Sequence, residues 1–558
     1  MREIIKLNKS CCKNCYKCLR HCPTKSISFQ SGRADIIWNE CIFCGKCFVA
    51  CPKSVKSIQN DVDAVKDMLK SKDPVFASID PSFIANYKGL SIGALRKALL
   101  ALGFAGVEET AIGATMVKNR YEEMLAEENK KIIISSCCHS INMLIQKKYA
   151  DVLPYLASVM SPMMAHCADL KRRHPSAKTV FIGPCISRKA EAEDYPGYVD
   201  CVLTFGELSV WLKEAEITMR PLTEESIKGK ATLFSVAGGI LQSMRKDNAD
   251  YKYVAIDGID ACKGVLEEIS FSKLPYKCFI EMSACKGSCI NGPAMEKGTS
   301  LASRLVYMSD QIGEEDFAVE MPERESLFKS IKFSGTRAVR FGSNALKDAL
   351  QKMGKNKPED MLNCGSCGYN TCGEKATAIV EGKADVSMCL PYLMERAKSF
   401  SDTIINNSPN GIFLLTENLE VQQINAAACE ITNIKHQEDV LGQNVACILD
   451  PTLFWNVIDT HQNIIEERVY LAEYDRYVML TAIYDKSYNA VIGIMRDVTV
   501  MEKNRAKQKE LKHKTMEVTD KVIEKQMRTV QEIASLLGET TAETKVALTK
   551  LKESLRNE

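Results

Sequence analysis

Residues 130–141 read KKIIISSCCHSI, a short apolar run that stops at two adjacent thiols and a histidine. A run of that length between polar residues suits a buried strand. Similar runs recur as TVFIG (179–183), VDCVLTF (199–205) and YVAIDG (253–258), alternating with helical patterns such as GALRKALLALGF (93–104). The alternation predicts an α/β layer structure over roughly residues 70–340. It contains no G-x-G-x-x-G and no G-x-x-x-x-G-K-[ST], so it carries neither a dinucleotide nor a triphosphate fingerprint. Thiols mark the strand ends instead: after the pair at 137–138 come GPCISRK (183–189) and EMSACKGSCINGPA (281–294). Three loops thus supply Cys138, Cys185, Cys285 and Cys289, enough ligands for one iron–sulfur cubane. Glycines around Cys285 and Cys289 let the backbone approach a bulky inorganic group.

The totals agree with a metal-binding reading. A chain of 558 residues exceeds one compact core, and roughly three to five domains are expected. Lys+Arg at 73 against Asp+Glu at 71 argues against a nucleic-acid surface or a polybasic membrane patch. No stretch approaches ~18 uninterrupted apolar residues, and the N-terminus lacks a signal-peptide core, so the expectation is a soluble cytoplasmic protein. In such a chain 24 cysteines point to metal ligation more than to disulfides.

Most of those cysteines fall in tight groups. Residues 12–23 read CKNCYKCLRHCP and residues 41–52 read CIFCGKCFVACP. Each resembles the C-x2-C-x2-C-x3-C-P run of bacterial two-cluster ferredoxins. The resemblance implies that Cys12, Cys15, Cys18 and Cys51 hold one [4Fe-4S] cluster, and Cys41, Cys44, Cys47 and Cys22 the other. Two copies with a trailing proline argue against a zinc module, and Cys11 is left as a spare thiol. Cys364, Cys367, Cys372 and Cys389, in C-x2-C-x4-C…C-L-P spacing, resemble a further small [4Fe-4S] domain.

The three loops of the α/β region resemble, in order, the signatures T-S-C-C-P-x-W, M-P-C-x-x-K and E-x-M-x-C-x-x-G-C of the [FeFe]-hydrogenases, whose usual neighbour is a ferredoxin module. The resemblance implies an H-cluster, a cubane joined through one cysteine sulfur to a two-iron unit bearing CO, CN⁻ and an azadithiolate. By position Cys138, Cys185 and Cys285 hold the cubane and Cys289 bridges. Cys137 would be the first station of a proton path. With the three further [4Fe-4S] clusters, this implies reversible H₂ splitting with electrons leaving through cubanes.

Departures from the family pattern bear on function. Gly183 and Ser283 stand where the family has Met beside the two-iron unit, and Ser288 where it has Gly. Pro293 cuts short the glycines after Cys289. The family lysine that hydrogen-bonds a cyanide falls on Arg188, with Lys189 adjacent, and either could donate. His139 replaces a proline, as a donor to the cubane or as packing. The relay Glu–Ser–Glu beyond Cys137 falls on Tyr121, Ala157 and Met124. A tyrosine and two apolar side chains cannot shuttle protons as carboxylates do. Proton transfer is therefore expected to be slow, or rerouted through Glu122, Glu123 or His139.

From about residue 396 the ligand-spaced cysteines stop. NNSPNGIFLLTENLEVQQINAAACEITN and GIMRDVTVMEK resemble a PAS sensory domain, with Cys429, Cys447, His436 and His461 read as core or surface residues. In the charged tail Ile523, Met527, Val530, Ile533 and Leu537 recur at steps of three and four. Gly538 then interrupts, and TTAE (540–543) caps a second helix. A dimerising hairpin and a tail packed on the PAS domain both suit this pattern; His513 is read as merely exposed.

The expected architecture is multidomain α/β: a ferredoxin-like module (1–60), an H-cluster domain (61–340), a small [4Fe-4S] domain (341–395), an α+β PAS domain (396–502) and C-terminal helices (503–558). The expected function is an H₂-sensing hydrogenase of low turnover. It would act on a downstream kinase, phosphatase or regulator and form a homodimer through PAS and tail. The alternatives are a ferredoxin-linked uptake or evolving hydrogenase and an iron–sulfur assembly relative without H₂ activity.

Overall fold

The computed structural model describes residues 4–8, 12–30, 33–127, 130–221, 228–335, 341–537 and 542–556. Cys11 and the Gly538–Thr541 part of the tail reading lie outside them. The chain forms two compact units, Met1–Tyr392 and Leu393–Glu558. No described helix is long and apolar enough to cross a membrane.

Two parallel sheets organise the first unit. One has the order Gly106–Glu109, Val75–Ile79, Lys178–Gly183, Cys201–Thr204. The other runs Lys252–Asp257, Cys278–Ser283, Ile132–Ile134. Their inner strands carry apolar blocks: Val180, Phe181 and Ile182 are buried in one sheet and Phe279 and Ile280 in the other, as are Ile132, Ile133 and Ile134 on that sheet's edge strand. Helices start promptly after strands or loops because the sequence caps them. The Ser161 hydroxyl accepts from Met164 N–H with Pro162 behind it, and Thr204 with Glu207 forms a reciprocal capping box. Cys137 and Cys138 follow the strand ending at Ile134, Cys185 follows Gly183, and Cys285 follows Ser283. All three loops thus leave the carboxyl ends of parallel strands, where open α/β sheets bind ligands.

The ferredoxin-like module consists of two antiparallel pairs, Ile5–Leu7 with Lys56–Ile58 and Ile27–Gln30 with Arg33–Ile36. Short helices Lys17–Arg20 and Lys46–Val49 begin inside the cysteine runs. The module shares a core with the third cysteine segment: Leu19, Ile27 and Phe29 pack with Tyr369, Ala378 and Met388. Phe29 N–H donates to Lys383 O at 2.9 Å and Lys25 Nζ to Gly368 O at 2.8 Å. Sequence distance hid this: the segments lie over three hundred residues apart.

The second unit holds a five-stranded antiparallel sheet, ordered Val421–Ile424, Gly411–Thr416, Ala490–Asp497, Arg476–Asp485, Ile464–Leu471. Alternate residues Phe413, Leu415 and Val478, Leu480, Ala482 face its core, as the one-sided pattern required. Cys429 is buried there, Cys447 is exposed, and His461 stacks on Tyr484. A 39-residue helix, Thr499–Leu537, and a second, Ala542–Arg556, form the tail, tied by Lys552 to Asp520 at 3.2 Å.

Candidate metal-cluster site

Cys138, Cys185, Cys285 and Cys289 line one cavity between the two sheets, together with Cys137, Arg188 and Ser283. The rest of its wall is chiefly apolar, including Phe181, Phe234, Ile240 and Met282. Burial pushes the Cys138, Cys285 and Cys289 thiols upward. A cationic metal would favour their ionised form, and four soft thiols around one hollow suit an iron–sulfur cluster. The motif departures have a structural account. A Cβ at Gly183 would stand 2.7 Å from the Phe181 ring, so Phe181 takes the space a longer side chain would fill. Ser288 has φ 62°, the left-handed backbone natural to glycine, so the turn between Cys285 and Cys289 keeps its shape at some strain.

The two cation candidates point to different places. Arg188 lies in the cavity wall, its Nη2 donating to Cys137 O at 2.8 Å and its Nη1 to Glu191. Lys189 does not: its ammonium goes to Asp61 at 2.6 Å, Glu207 at 2.9 Å and Val202 O at 2.8 Å. Adjacent helical residues point about 100° apart, so only one of the two can face the cavity. Glu191, fully buried, also accepts from Lys329 at 2.5 Å and Ser161 at 3.0 Å. Burial would raise its pKa, but Lys329 and Arg188 hold it well below the carboxylate range.

Beyond Cys137 stands Tyr121, its hydroxyl 3.3 Å from the sulfur and 3.1 Å from Ser136 Oγ. Ser136 Oγ in turn donates to Val159 O, which has no proton to pass on. Burial keeps Tyr121 far above its usual pKa and lifts Cys137 to about 12. Met124 and Ala157 lie buried in the same apolar cluster. The rerouting candidates go elsewhere. Glu122 is bound to Arg245 and Glu123 to Arg120, while the His139 ring nitrogens face Glu191 at 3.8 Å and Asp194 at 3.4 Å. His139 is not among the cavity's lining residues.

Two carboxylates in the wall were not singled out from the sequence: Asp80, which has no motif and accepts from Ser82, and Glu281, which opens the EMSAC stretch and accepts from the Gly238 and Leu241 N–H groups. Nearby, Glu109 accepts from Thr232 at 3.1 Å, and burial pushes it up to about 7. Its folded pKa exceeds the unfolded value of ~4.3, so the folded state binds the extra proton between those values. Stability then falls as pH rises through that window. Glu109→Gln is expected to remove on the order of 3 kcal/mol of that fall; denaturation midpoints at pH 5 and 8 with unchanged pH dependence would refute it.

Two further cysteine groups lie close together. Burial first raises Cys41, Cys44 and Cys47, and Cys22 of the other run lies near enough to add to all three. Cys364, Cys367, Cys372 and Cys389 line a single small pocket with Lys375. The Lys375 ammonium is buried and makes no hydrogen bond among the described residues. An orphaned cation beside four thiols fits an anionic cluster.

Comparison with known proteins agrees with this geometry. Residues 73–293 match the iron only hydrogenase large subunit, C-terminal domain, and residues 4–52 a 4Fe-4S dicluster domain. Residues 360–391 match an Fe-S cluster family and 409–500 a PAS domain. Iron hydrogenase 1 of Clostridium pasteurianum is 24% identical over 306 residues, 43% of this chain and 53% of that one. The cytosolic Fe-S cluster assembly factor narfl of Danio rerio is 24% identical over 234 residues, covering 31% and 56%. The chain thus spans about half the length of these curated relatives. The [FeFe]-hydrogenase HydA1 from Chlamydomonas reinhardtii superposes over 50% of this chain and 100% of its own, at 16% identity and TM-score 0.41. The chain thus combines 4Fe-4S domains with a domain that matches the iron only hydrogenase large subunit. With its sensory domain included, it is a PAS-containing [FeFe]-hydrogenase-like protein.

Proposed function

We propose that this protein is an H₂ sensor: an [FeFe]-hydrogenase of low turnover whose cluster chain reports to its PAS region. The observation that carries the reading is the hydrogen bond of Cys137 to buried Tyr121, which replaces a proton-carrying carboxylate at the cavity. Cys138, Cys185 and Cys285 would hold the cubane and Cys289 the two-iron unit, with Arg188 as the donor toward a cyanide. When bound, the H-cluster supplies the metal chemistry of H₂ heterolysis. The chain's own part is to hold it in a dry wall, present Arg188, and keep Cys137 protonated. Cys12, Cys15, Cys18, Cys22, Cys41, Cys44, Cys47, Cys51 and the Cys364–Cys389 set would ligate three further [4Fe-4S] clusters. Cys389 directly precedes helix Leu390–Asn406, whose Asp402 and Ile405 O take hydrogen bonds from Gln423 of the PAS sheet and from Asn425 just after that strand. A change at that cluster therefore has a covalent route to the sensory fold. The output would be a kinase, phosphatase or regulator, reached through a PAS- and tail-mediated dimer in the cytoplasm.

The likeness to assembly factors favours one second reading, an iron–sulfur assembly relative without H₂ chemistry. H₂ oxidation by the matured protein separates them. Slow turnover with full cluster reduction under H₂ supports sensing; no reduction under H₂ supports the assembly reading, and fast turnover an ordinary catalyst.

A further inference from the structure

Tyr121 closes the side of the cavity next to Cys137, yet another line of hydrogen bonds starts in the same wall. Thr110 lines the cavity. Its Oγ1 lies 2.7 Å from Ser78 Oγ, which lies 2.8 Å from His166 Nδ1. On the far side of the ring, His166 Nε2 is 3.1 Å from Glu108 Oε2. The Glu108 side chain is 25% exposed and is held by Arg173 at 2.6 Å. Ser78 and His166 are fully buried and Thr110 is 3% exposed, so only the Glu108 end meets solvent. Every link is within hydrogen-bond range.

The fold builds this line from neighbouring elements. Ser78 is on strand Val75–Ile79, Glu108 on the adjoining strand, Thr110 just after it, and His166 on helix Pro162–Arg173. Helix Ala111–Glu127 reaches His166 because position 113 is glycine: a Cβ there would stand 2.4 Å from Pro162 O and 2.7 Å from His166 Cβ. Imidazole can take a proton on one nitrogen and release one from the other near neutral pH. Burial alone would raise the Glu108 pKa, but hydrogen bonds from His166 and Arg173 bring it down to about 2. At rest the carboxylate is charged and holds the ring's orientation; a proton it takes from Nε2 passes at once to water, because so weak a base does not keep it.

We propose that Thr110, Ser78, His166 and Glu108 form a proton conduit between the cluster cavity and the surface, in place of the relay lost beyond Cys137. This rests on the hydrogenase reading of the cavity. In the outward direction Thr110 Oγ1 receives a proton and passes its own to Ser78, and Ser78 passes its own to His166 Nδ1. The Nε2 proton then leaves past Glu108 to solvent. One proton crosses and no electron moves; hydroxyl rotation and imidazole tautomerisation reset the line. Two hydroxyls and one ring make a slower path than a row of carboxylates, in keeping with low turnover.

The test is a pH jump on the matured protein, with the CO and CN⁻ bands followed by infrared in H₂O and D₂O. His166→Gln and Ser78→Ala are each expected to slow the proton-linked band shifts roughly tenfold or more. Band positions at equilibrium should stay where they are, and Glu123→Gln should relax like wild type. If His166→Gln does not fold, Ser78→Ala decides. Wild-type rates in the folded variants overturn the conduit while leaving the function standing. Slowing that comes only with displaced bands also overturns it, because that marks a structural role. Wild-type protein without CO or CN⁻ bands overturns the function and the conduit together.

Discussion

Glu191→Leu is expected to destabilise the Met1–Tyr392 unit by roughly 3–5 kcal/mol. The carboxylate is completely buried and takes up Arg188, Lys329 and the Ser161 hydroxyl. Lys329 also sits 4.4 Å over the Tyr195 ring, so it has little freedom to reach water. Removing the anion leaves two cations in a low-dielectric interior, and an unpaired buried charge costs far more than the pair contributes. The folded pKa of Glu191 is depressed, so its stabilisation is present above the unfolded value of ~4.3 and fades as pH falls below it. Chemical denaturation at pH 7 measures the loss; a change under about 1 kcal/mol would contradict this account. In the matured variant a freed Arg188 would also shift the CN⁻ bands.

Tyr121→Glu combined with Ala157→Ser and Met124→Glu is expected to raise H₂ turnover per loaded site by roughly tenfold or more. The Tyr121 hydroxyl already accepts from Ser136 N–H at 2.9 Å and meets the Cys137 sulfur, so a carboxylate there would find both partners. The other two changes extend a polar path through the buried cluster that holds Met124 and Ala157. The cost is stability, since each new polar group needs a partner inside an apolar layer. Turnover is normalised to the CO band intensity. A folded, loaded triple variant no faster than wild type would show that proton delivery does not limit this protein.

Cysteine spacing made the candidate ligand groups legible, because a cluster demands thiols at fixed intervals, and the structure brings Cys138, Cys185, Cys285 and Cys289 to one cavity and Cys364, Cys367, Cys372 and Cys389 to another. The α/β layers were legible for a similar reason: buried strands read as apolar blocks, and the thiols fell at their ends; that the strands pair in parallel came from the structure. What the sequence hid was carried by contacts between distant segments. Arg188 and Lys189 are neighbours of like charge, and only the helix direction and the acceptors Asp61, Glu207 and Glu191 separate them. Glu122 and Glu123 were plausible proton carriers until Arg245 and Arg120 were seen to hold them. Ser78, His166 and Glu108 have no motif at all; two adjoining strands and a helix bring them together.

In the proposed function Cys138, Cys185, Cys285 and Cys289 enclose a cubane joined to a two-iron unit. The direct measurement is the infrared spectrum of protein matured with the two-iron unit, beside Cys289→Ser. The account predicts CO and CN⁻ bands in the wild type and their loss in the variant, with the ferredoxin-type clusters retained in both. A wild type that carries its [4Fe-4S] clusters and shows no such bands would contradict it.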